Sequence, residues 1–266
     1  MNLLFIGAGK MATALASGIL KNEVFPRDSL LACDISPQAR DNFTAATGIP
    51  CVETAEPKAV AKADVILLAV KPQVAEAAVR ALPPRKDDVI VISICAGISI
   101  GKLRQWFGTG RVVRVMPNTP LMVGKGASCY ALGTGSDETA ASLAEKILGS
   151  LGKCWHVPES QLDAVTALSG SGPAYFFEFI EALRLGGEKL GLPADLALNL
   201  AIETMGGATE MLRRRMGTPE ELRIAVTSKG GTTAAALDVM GKHNFRQMVE
   251  ELLVAARDRS QELGRQ

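Results

Sequence analysis

The chain has 266 residues, of which 47% are hydrophobic, so it can bury a large core in one domain or two. Its 29 Lys and Arg residues nearly balance its 28 Asp and Glu residues, which argues against nucleic acid or an anionic membrane as a partner. The five cysteines form no CxxC pair, a distribution typical of reduced thiols. We therefore expect a cytoplasmic protein that acts on a small molecule and holds no metal.

Short apolar runs alternate with helical stretches in the first part of the chain. The runs SLLACD, ADVILLAV and DVIVISICA are nearly continuous in hydrophobic residues, as in strands that helices cover on both faces. From about residue 161 onward, long helical stretches dominate and no strand pattern is visible. The sequence predicts an α/β protein, with a Rossmann-type, doubly wound and mostly parallel sheet in residues 1–158 and an all-helical domain in residues 159–266.

Two helix starts are indicated by capping residues. Ser136 is the expected N-cap of an amphipathic helix over residues 136–151. Thr218, with Glu221 three positions later, has the spacing of a capping box, in which each residue accepts a backbone hydrogen bond from the other.

The segment Gly7-Ala8-Gly9-Lys10-Met11-Ala12 follows the first predicted strand and opens a helix. It matches the dinucleotide fingerprint, in which the first glycine allows a tight turn, the second lets a pyrophosphate approach the backbone, and the last small residue permits close helix packing. The helix start can then present free N–H groups to the phosphates. This pattern predicts binding of NADPH or NADH through Gly7, Ala8, Gly9, Lys10 and Met11.

The residues after the second predicted strand leave the choice between these two cofactors open. Asp34 ends that strand, where an acidic side chain can hydrogen-bond a ribose 2′-hydroxyl and repel a 2′-phosphate, which favours NADH. Ser36 and Arg40 follow it and could instead hold the 2′-phosphate of NADPH.

Three further segments end later strands, at the edge where doubly wound sheets bind their ligands. We expect them to contact the nicotinamide half of the cofactor, with the Asn118 amide orienting that of the ring. Lys71 could equally be a solvated loop lysine, and Pro72 and Gly97 simple turn residues. The complete set is Ala69, Val70, Lys71, Pro72, Cys95, Ala96, Gly97 and Asn118.

Two segments interrupt the helical pattern of the second half. Residues 168–173 (LSGSGP) predict a small-residue turn that runs into a helix. Residues 227–233 (TSKGGTT) place a glycine pair between hydroxyl side chains, just before a helical stretch. Free N–H groups at such a helix start suit a carboxylate. From spacing alone, an ordinary interhelical turn is the alternative.

The motifs IGAGKMA, AVKP, SICAG, RVMPNTP, ALSGSGPAYFF and TSKGGTT occur in this order along essentially the whole chain. Together they resemble the pyrroline-5-carboxylate reductase family, for which the last three are specific as a set. The resemblance implies hydride transfer from NADPH or NADH to the C=N bond of 1-pyrroline-5-carboxylate, giving L-proline. It also implies a substrate bound between the two domains, a homodimer formed by the helical domains, and a larger ring of dimers.

The same resemblance implies roles for residues of the TSKGGTT segment. Thr233 would hydrogen-bond the ring nitrogen of the substrate. Its carboxylate would be held by Ser228 and by the N–H groups of Gly230, Gly231 and Thr232.

Lys229 departs from the family pattern, which usually has proline there, and implies a less rigid loop or an extra positive charge. Two alternative functions also follow from the sequence. A 3-hydroxyacid dehydrogenase of similar plan would need a general base, for which Lys189 and Lys229 are candidates. A non-catalytic nicotinamide-sensing regulator would have no use for the SGSGP and SKGGTT segments.

Overall fold

Eight strands form one sheet in the first part of the chain. The computed structural model describes residues 1–265, the last of them by its backbone only. The strands are β1 Leu3–Ile6, β2 Leu30–Cys33, β3 Cys51–Val52, β4 Val65–Leu68, β5 Ile90–Ser93, β6 Val112–Met116, β7 Gly126–Leu132 and β8 Gly152–His156. Their order across the sheet is β3-β2-β1-β4-β5-β6-β7-β8, and every neighbouring pair is parallel except β6 and β7. The predicted mostly parallel sheet is confirmed.

Helices follow most of these strands and make up the later part of the chain. Those associated with the sheet are α1 Lys10–Lys21, α2 Pro37–Thr47, α3 Pro57–Lys62, α4 Pro72–Arg80, α5 Ile100–Phe107 and α6 Glu138–Gly149. Those that follow are α7 Leu162–Val165, α8 Gly172–Lys189, α9 Ala194–Arg213, α10 Pro219–Ala225, α11 Thr232–Lys242 and α12 Phe245–Arg265. Among the helices of residues 1–265, none has both the length and the apolar character needed to cross a membrane.

The side chains of β1 show how both faces of the sheet are buried. Leu3 and Phe5 pack into a core that includes residues of α1 and α6. Leu4 and Ile6 alternate with them and pack into a second core with residues of α4 and α5. All four side chains are at most 4% exposed. The sheet is therefore covered by helices on both faces, as the continuous apolar runs predict.

The strand order reverses at β1. The chain runs from β1 outward through β2 and β3, then returns to the other side of β1 as β4. In doubly wound sheets, the crevice at such a reversal, outside the carboxyl ends of the strands, is where ligands bind.

The chain forms two compact units. The first comprises Met1–Ser171 together with the residues from Ala256 onward, and the second comprises Gly172–Ala255. The sheet lies in the first unit, and α8, α9, α10 and α11 lie in the second. The boundary expected between residues 158 and 159 rests on a change from strands to helices, whereas the two units are defined by their compactness. That boundary therefore stays a prediction.

The two predicted helix starts have different outcomes. The capping box at Thr218 and Glu221 is confirmed. Ser136 as an N-cap is wrong, because α6 begins at Glu138 and the Asp137 carboxylate caps it by accepting the N–H of Ala140 at 2.9 Å. The Ser136 hydroxyl instead donates to a strand carbonyl, that of Val112, at 2.8 Å.

Replacing Thr218 with alanine should destabilise the second unit. The Thr218 Oγ1 accepts the N–H of Glu221 at 3.2 Å, and the Glu221 carboxylate accepts the N–H of Thr218 at 2.8 Å. Loss of the N-cap oxygen leaves a helix-start donor without its partner, and we expect the free energy of unfolding to fall by about 1 kcal/mol. Urea denaturation at fixed protein concentration measures this change.

Thr209→Ala is the matched control for that measurement. The Thr209 hydroxyl donates to the Met205 carbonyl inside α9, and alanine is the better helix former there. This variant should be as stable as the wild type or more so. Equal destabilisation of the two variants would contradict the role of the capping box.

Candidate active site

The turn after β1 brings the ends of two strands together. Gly7 has a φ of +98°, and a Cβ atom there would lie 2.6 Å from the carbonyl oxygen of Ala69, just after β4. The N–H of Gly7 donates to the carbonyl of Cys33 at 2.8 Å. Both the backbone conformation and the lack of space therefore require glycine at residue 7.

The start of α1 is open in front of Gly9. This residue is the N-cap of α1, and a Cβ atom on it would meet nothing within 4 Å. Among the described residues, no side chain caps the first N–H groups of the helix. Uncapped N–H groups and the helix dipole favour a phosphate at such a position. The space and the donors fit the pyrophosphate of a dinucleotide.

Asp34 is held by two backbone donors. One carboxylate oxygen accepts the N–H of Ala8 at 2.8 Å, and the other accepts the N–H of Ser36 at 2.8 Å. Asp34 therefore ties the glycine loop to the start of α2. Each oxygen has a second lone pair, so it can still accept a ribose hydroxyl.

The side chains of Ser36 and Arg40 also form hydrogen bonds with backbone groups. The Ser36 hydroxyl caps α2 by accepting the N–H of Ala39 at 3.3 Å. The Arg40 guanidinium donates to the carbonyl oxygens of Asp34 at 2.9 Å and Ile35 at 3.1 Å. The structure thus brings Asp34, Ser36 and Arg40 together at the end of β2, with one carboxylate and one guanidinium in the same place.

A groove of about 880 Å³ begins at the glycine loop and follows α1. Lys10 lines its start and Lys21 its other end, with α2 and the residues around Met122 and Val123 at its sides. These two apolar side chains are 55% and 75% exposed. The groove could not be predicted from the sequence because its walls come from separate segments, most of which carry no motif.

A buried thiol joins the loops after β4 and β5. Cys95 is 2% exposed, and its Sγ donates to the carbonyl of Val70 at 3.2 Å. Burial raises the pKa of Cys95 to about 11, so the thiol stays protonated at neutral pH and keeps its hydrogen to donate. Residues 69–72 and 95–97 therefore lie side by side at the carboxyl edge of the sheet.

Lys71 and Asn118 have different surroundings at this edge. Lys71 is exposed and forms the N-cap of α4. Asn118 is 8% exposed, and its side-chain oxygen accepts the N–H of Ala127 at 2.9 Å. Asn118 can therefore offer a ligand its amide nitrogen as a donor, and its oxygen keeps a second lone pair.

In the second unit, a tight turn precedes α11. The N–H of Gly231 donates to the carbonyl of Ser228 at 3.0 Å, and Gly230 has a φ of +72°. A Cβ atom on Gly231 would collide with the Ser228 hydroxyl. Gly231 is the N-cap of α11, and within the described chain no side chain caps this helix. The predicted substrate residues are thus adjacent to one another, at a helix start suited to an anion.

For residues 168–173, the expected entry into a helix is confirmed, but the expected turn is wrong at residues 168–170, which are helical. Thr166–Gly170 form a π-helical turn, and Gly172 begins α8. The Ser169 hydroxyl donates to the carbonyl of Val165 at 3.2 Å. This bond gives the serine hydroxyl a partner within the helix, at the carbonyl four residues earlier.

The glycine loop at the reversal of a doubly wound sheet, next to an open helix start, defines a dinucleotide-binding protein of the Rossmann class. Residues 2–97 match a family model described as NADP oxidoreductase coenzyme F420-dependent, and residues 159–263 match that of pyrroline-5-carboxylate reductase dimerisation. A pyrroline-5-carboxylate reductase of Arabidopsis thaliana is 41% identical over 98% of this chain and 94% of its own length. The chain belongs to the pyrroline-5-carboxylate reductase family.

Two further comparisons agree with this assignment. A pyrroline-5-carboxylate reductase of Pseudomonas aeruginosa is 41% identical over 99% of this chain and 97% of its own. The crystal structure of Plasmodium falciparum pyrroline carboxylate reductase with NADP bound has a TM-score of 0.88 and 32% identity, covering 99% of this chain and 98% of that one. The family predicted from the six motifs is confirmed.

Alanine substitutions at the two loop glycines should have different effects. Gly7→Ala forces a side chain into a left-handed backbone and against the Ala69 carbonyl, and we expect a loss of about 2 kcal/mol in the free energy of unfolding. Gly9→Ala meets no protein atom. At this N-cap position, where glycine is preferred over alanine, any loss of stability should be smaller than that of Gly7→Ala. The methyl group would occupy the space in front of the helix start and weaken dinucleotide binding.

Denaturant unfolding and dinucleotide titration of both variants test this difference. Weak binding by a Gly9→Ala protein that is more stable than Gly7→Ala is the expected result. Normal binding by that variant would show that the space in front of Gly9 is not where the phosphates lie.

Proposed function

We propose that this protein is an NAD(P)H-dependent oxidoreductase that reduces the C=N bond of 1-pyrroline-5-carboxylate to give L-proline, completing the synthesis of that amino acid. Two relatives that are 41% identical to it carry the name of this activity. The structural observation that carries the proposal is the uncapped start of α11, where the glycine pair adjoins Thr233. That site offers donors for a carboxylate and a hydroxyl for a ring nitrogen within one turn of helix.

The cofactor would be held by the first unit. The open helix start at Gly9 fits its pyrophosphate, and residues 69–72 and 95–97, with Asn118, would contact its nicotinamide half. When bound, the reduced nicotinamide supplies the hydride that the C=N carbon accepts. We propose NADPH or NADH, because the Asp34 carboxylate favours NADH and the Arg40 guanidinium favours NADPH. The relative from Plasmodium falciparum has NADP bound.

The α11 turn would hold the substrate carboxylate. The N–H of Gly231 already donates to the Ser228 carbonyl within the turn, so we assign most of the binding to the Ser228 hydroxyl and to the N–H groups of Gly230 and Thr232. The dipole of α11 adds favourable charge at the same point. Lys229 is exposed in this turn and brings a positive charge of its own.

Thr233 would orient the imine. It is half-buried in the first turn of α11, and its hydroxyl would hydrogen-bond the ring nitrogen. A protonated imine already accepts hydride readily, so the residue has to position the ring and hold the proton on nitrogen. Orientation of reacting groups can lower a barrier by about 7–11 kcal/mol, which explains how such a site works without a strong acid.

We further propose that the helical unit forms a homodimer, and that dimers assemble into a larger ring. Large apolar side chains are exposed on this unit, with Phe176 at 60%, Phe177 at 66% and Leu200 at 49%. Exposed apolar groups of this size mark interaction surfaces. The match of residues 159–263 to a dimerisation model supports the same assignment.

Thr233→Val should lower kcat for imine reduction by about 10- to 100-fold, the loss expected when a hydrogen bond to a charged group is removed. Thr232→Val is the matched control, because only the backbone N–H of Thr232 is assigned a role. Imine-dependent loss of reduced-nicotinamide absorbance measures both variants and the wild type. A normal kcat for Thr233→Val would remove its hydroxyl from the mechanism.

Phe177→Glu should weaken the dimer, because it places a charge in the proposed apolar interface. Val123→Glu introduces the same charge at a side chain of the first unit that is 75% exposed, and it should leave assembly unchanged. Sedimentation velocity over a range of protein concentrations compares the two variants. If Phe177→Glu sediments like the wild type at every concentration, this face is not the interface.

Two smaller assignments complete the proposal. We place the protein in the cytoplasm, since all five cysteines are free thiols and the neighbours Cys33 and Cys51 pack in opposite cores. We place the domain boundary between residues 158 and 159, where the change to continuous helix and the start of the dimerisation match support it.

A further inference from the structure

The last turn of α12 packs against the loop between β5 and α5, residues 94–99, which we call the β5–α5 loop. Gly97 lies in this loop with a φ of +76°. A Cβ atom on Gly264 would lie 2.8 Å from the carbonyl oxygen of Gly97, and one on Gly97 would lie 3.2 Å from the backbone nitrogen of Gly264. The two backbones therefore touch without side chains between them.

Two polar contacts fix the last turn of α12 within the first unit. The Lys102 ammonium, from α5, donates to the carbonyl of Gly264 at 3.0 Å. The Ser260 hydroxyl is 5% exposed and donates to the Asp163 carboxylate at 2.8 Å. The contacts at Ser260 and at the Gly264 carbonyl thus fix the position of Gly264 next to Gly97.

The β5–α5 loop is held at its two ends as well. The thiol of Cys95 donates to the carbonyl of Val70 at its start. At its end, the N–H of Ile100 donates to the Glu159 carboxylate at 2.7 Å, and Arg114 donates to the same oxygen at 3.0 Å. Between these fixed ends, Gly97 receives its contact from α12.

We infer that the last turn of α12, residues 260–264, is a positioning element for the nicotinamide side of the cofactor site. This inference rests on the proposed function, because it takes the β5–α5 loop as part of that site. The backbone of Leu263 and Gly264 touches the loop at Gly97 and thereby sets the position of the loop backbone. Residues 260–264 act through the loop and contact neither cofactor nor substrate.

Gly264→Ala tests this inference directly. Its methyl group would press on the Gly97 carbonyl and displace the β5–α5 loop, since protein interiors resist overpacking. We expect the dissociation constant for NADPH or NADH to rise about tenfold, equivalent to about 1.4 kcal/mol. The dissociation constant for ADP, which lacks the nicotinamide half, should stay unchanged. A general loss of structure would instead weaken the binding of both ligands.

Gly149→Ala is the matched control. It makes the same substitution at the end of another helix of the first unit, where a Cβ atom meets nothing within 4 Å. It should bind both ligands as the wild type does. Unchanged dinucleotide affinity in Gly264→Ala, or an equal loss in Gly149→Ala, would overturn the inference.

The pair Lys102→Met and Lys102→Arg provides an independent test if Gly264→Ala does not fold. Methionine removes the donor to the Gly264 carbonyl, and arginine keeps one. The dinucleotide affinity should fall with methionine and recover with arginine, while ADP binding stays constant in both. Equal dinucleotide affinity in the two variants would contradict the inference.

These readouts are separate from turnover. Lack of imine reduction by the wild type would refute the proposed function, whereas the contrast between dinucleotide and ADP binding would still report on the β5–α5 loop.

Discussion

The close approach of β1 to β4 at Gly7 is the contact on which the cofactor edge depends. At residue 7 the chain turns sharply, and the backbone lies so near the Ala69 carbonyl that no side chain fits between them. This brings the glycine loop beside the segment that follows β4, at the place where the strand order reverses. The side chain of Val70 also lies against Gly7, and its carbonyl accepts the thiol hydrogen of Cys95.

Within residues 1–265, the starts of α1 and α11 leave their first N–H groups without a side-chain partner. Both α1 and α11 have glycine N-caps, which have no side-chain oxygen to compete for those donors. By contrast, α2, α5, α6 and α10 are capped by the side chains of Ser36, Ser99, Asp137 and Thr218. A capping oxygen stabilises a helix by occupying the donors that an anion would need. The glycine N-caps of α1 and α11 therefore leave those donors for phosphate or carboxylate, although α3, α4 and α9 also begin without a side-chain cap in the described chain.

Features that depend on residues close in sequence could be predicted from it. The buried strands, the glycine loop and the capping box at Thr218 each follow from a spacing of a few positions. Ser136 was misassigned because its neighbour Asp137 is the residue that caps α6. The Ser136 hydroxyl donates to the Val112 carbonyl on β6, a contact that the local pattern around residue 136 does not include.

The meeting of the segments that follow β4 and β5 could be predicted, but individual contacts between distant segments could not. The hydrogen bond from the N–H of Ala8 to the Asp34 carboxylate forms only when the ends of β1 and β2 lie next to each other. The contact of Gly264 with Gly97 joins segments far apart in the chain and carries no motif. The TSKGGTT turn was found from sequence because glycine and hydroxyl residues are clustered there, whereas the roles of its individual N–H groups depend on the turn geometry.

The return of α12 to the first unit also constrains the order of events during synthesis. Residues 256–265 belong to the same compact unit as the sheet, yet they are made after the whole of Gly172–Ala255. Domains generally begin to fold from the N-terminus as they leave the ribosome. The sheet and the phosphate loop can therefore form early, while the β5–α5 loop gains its last contact only when translation has passed the second unit. A nascent chain would acquire the two halves of its cofactor site at different times.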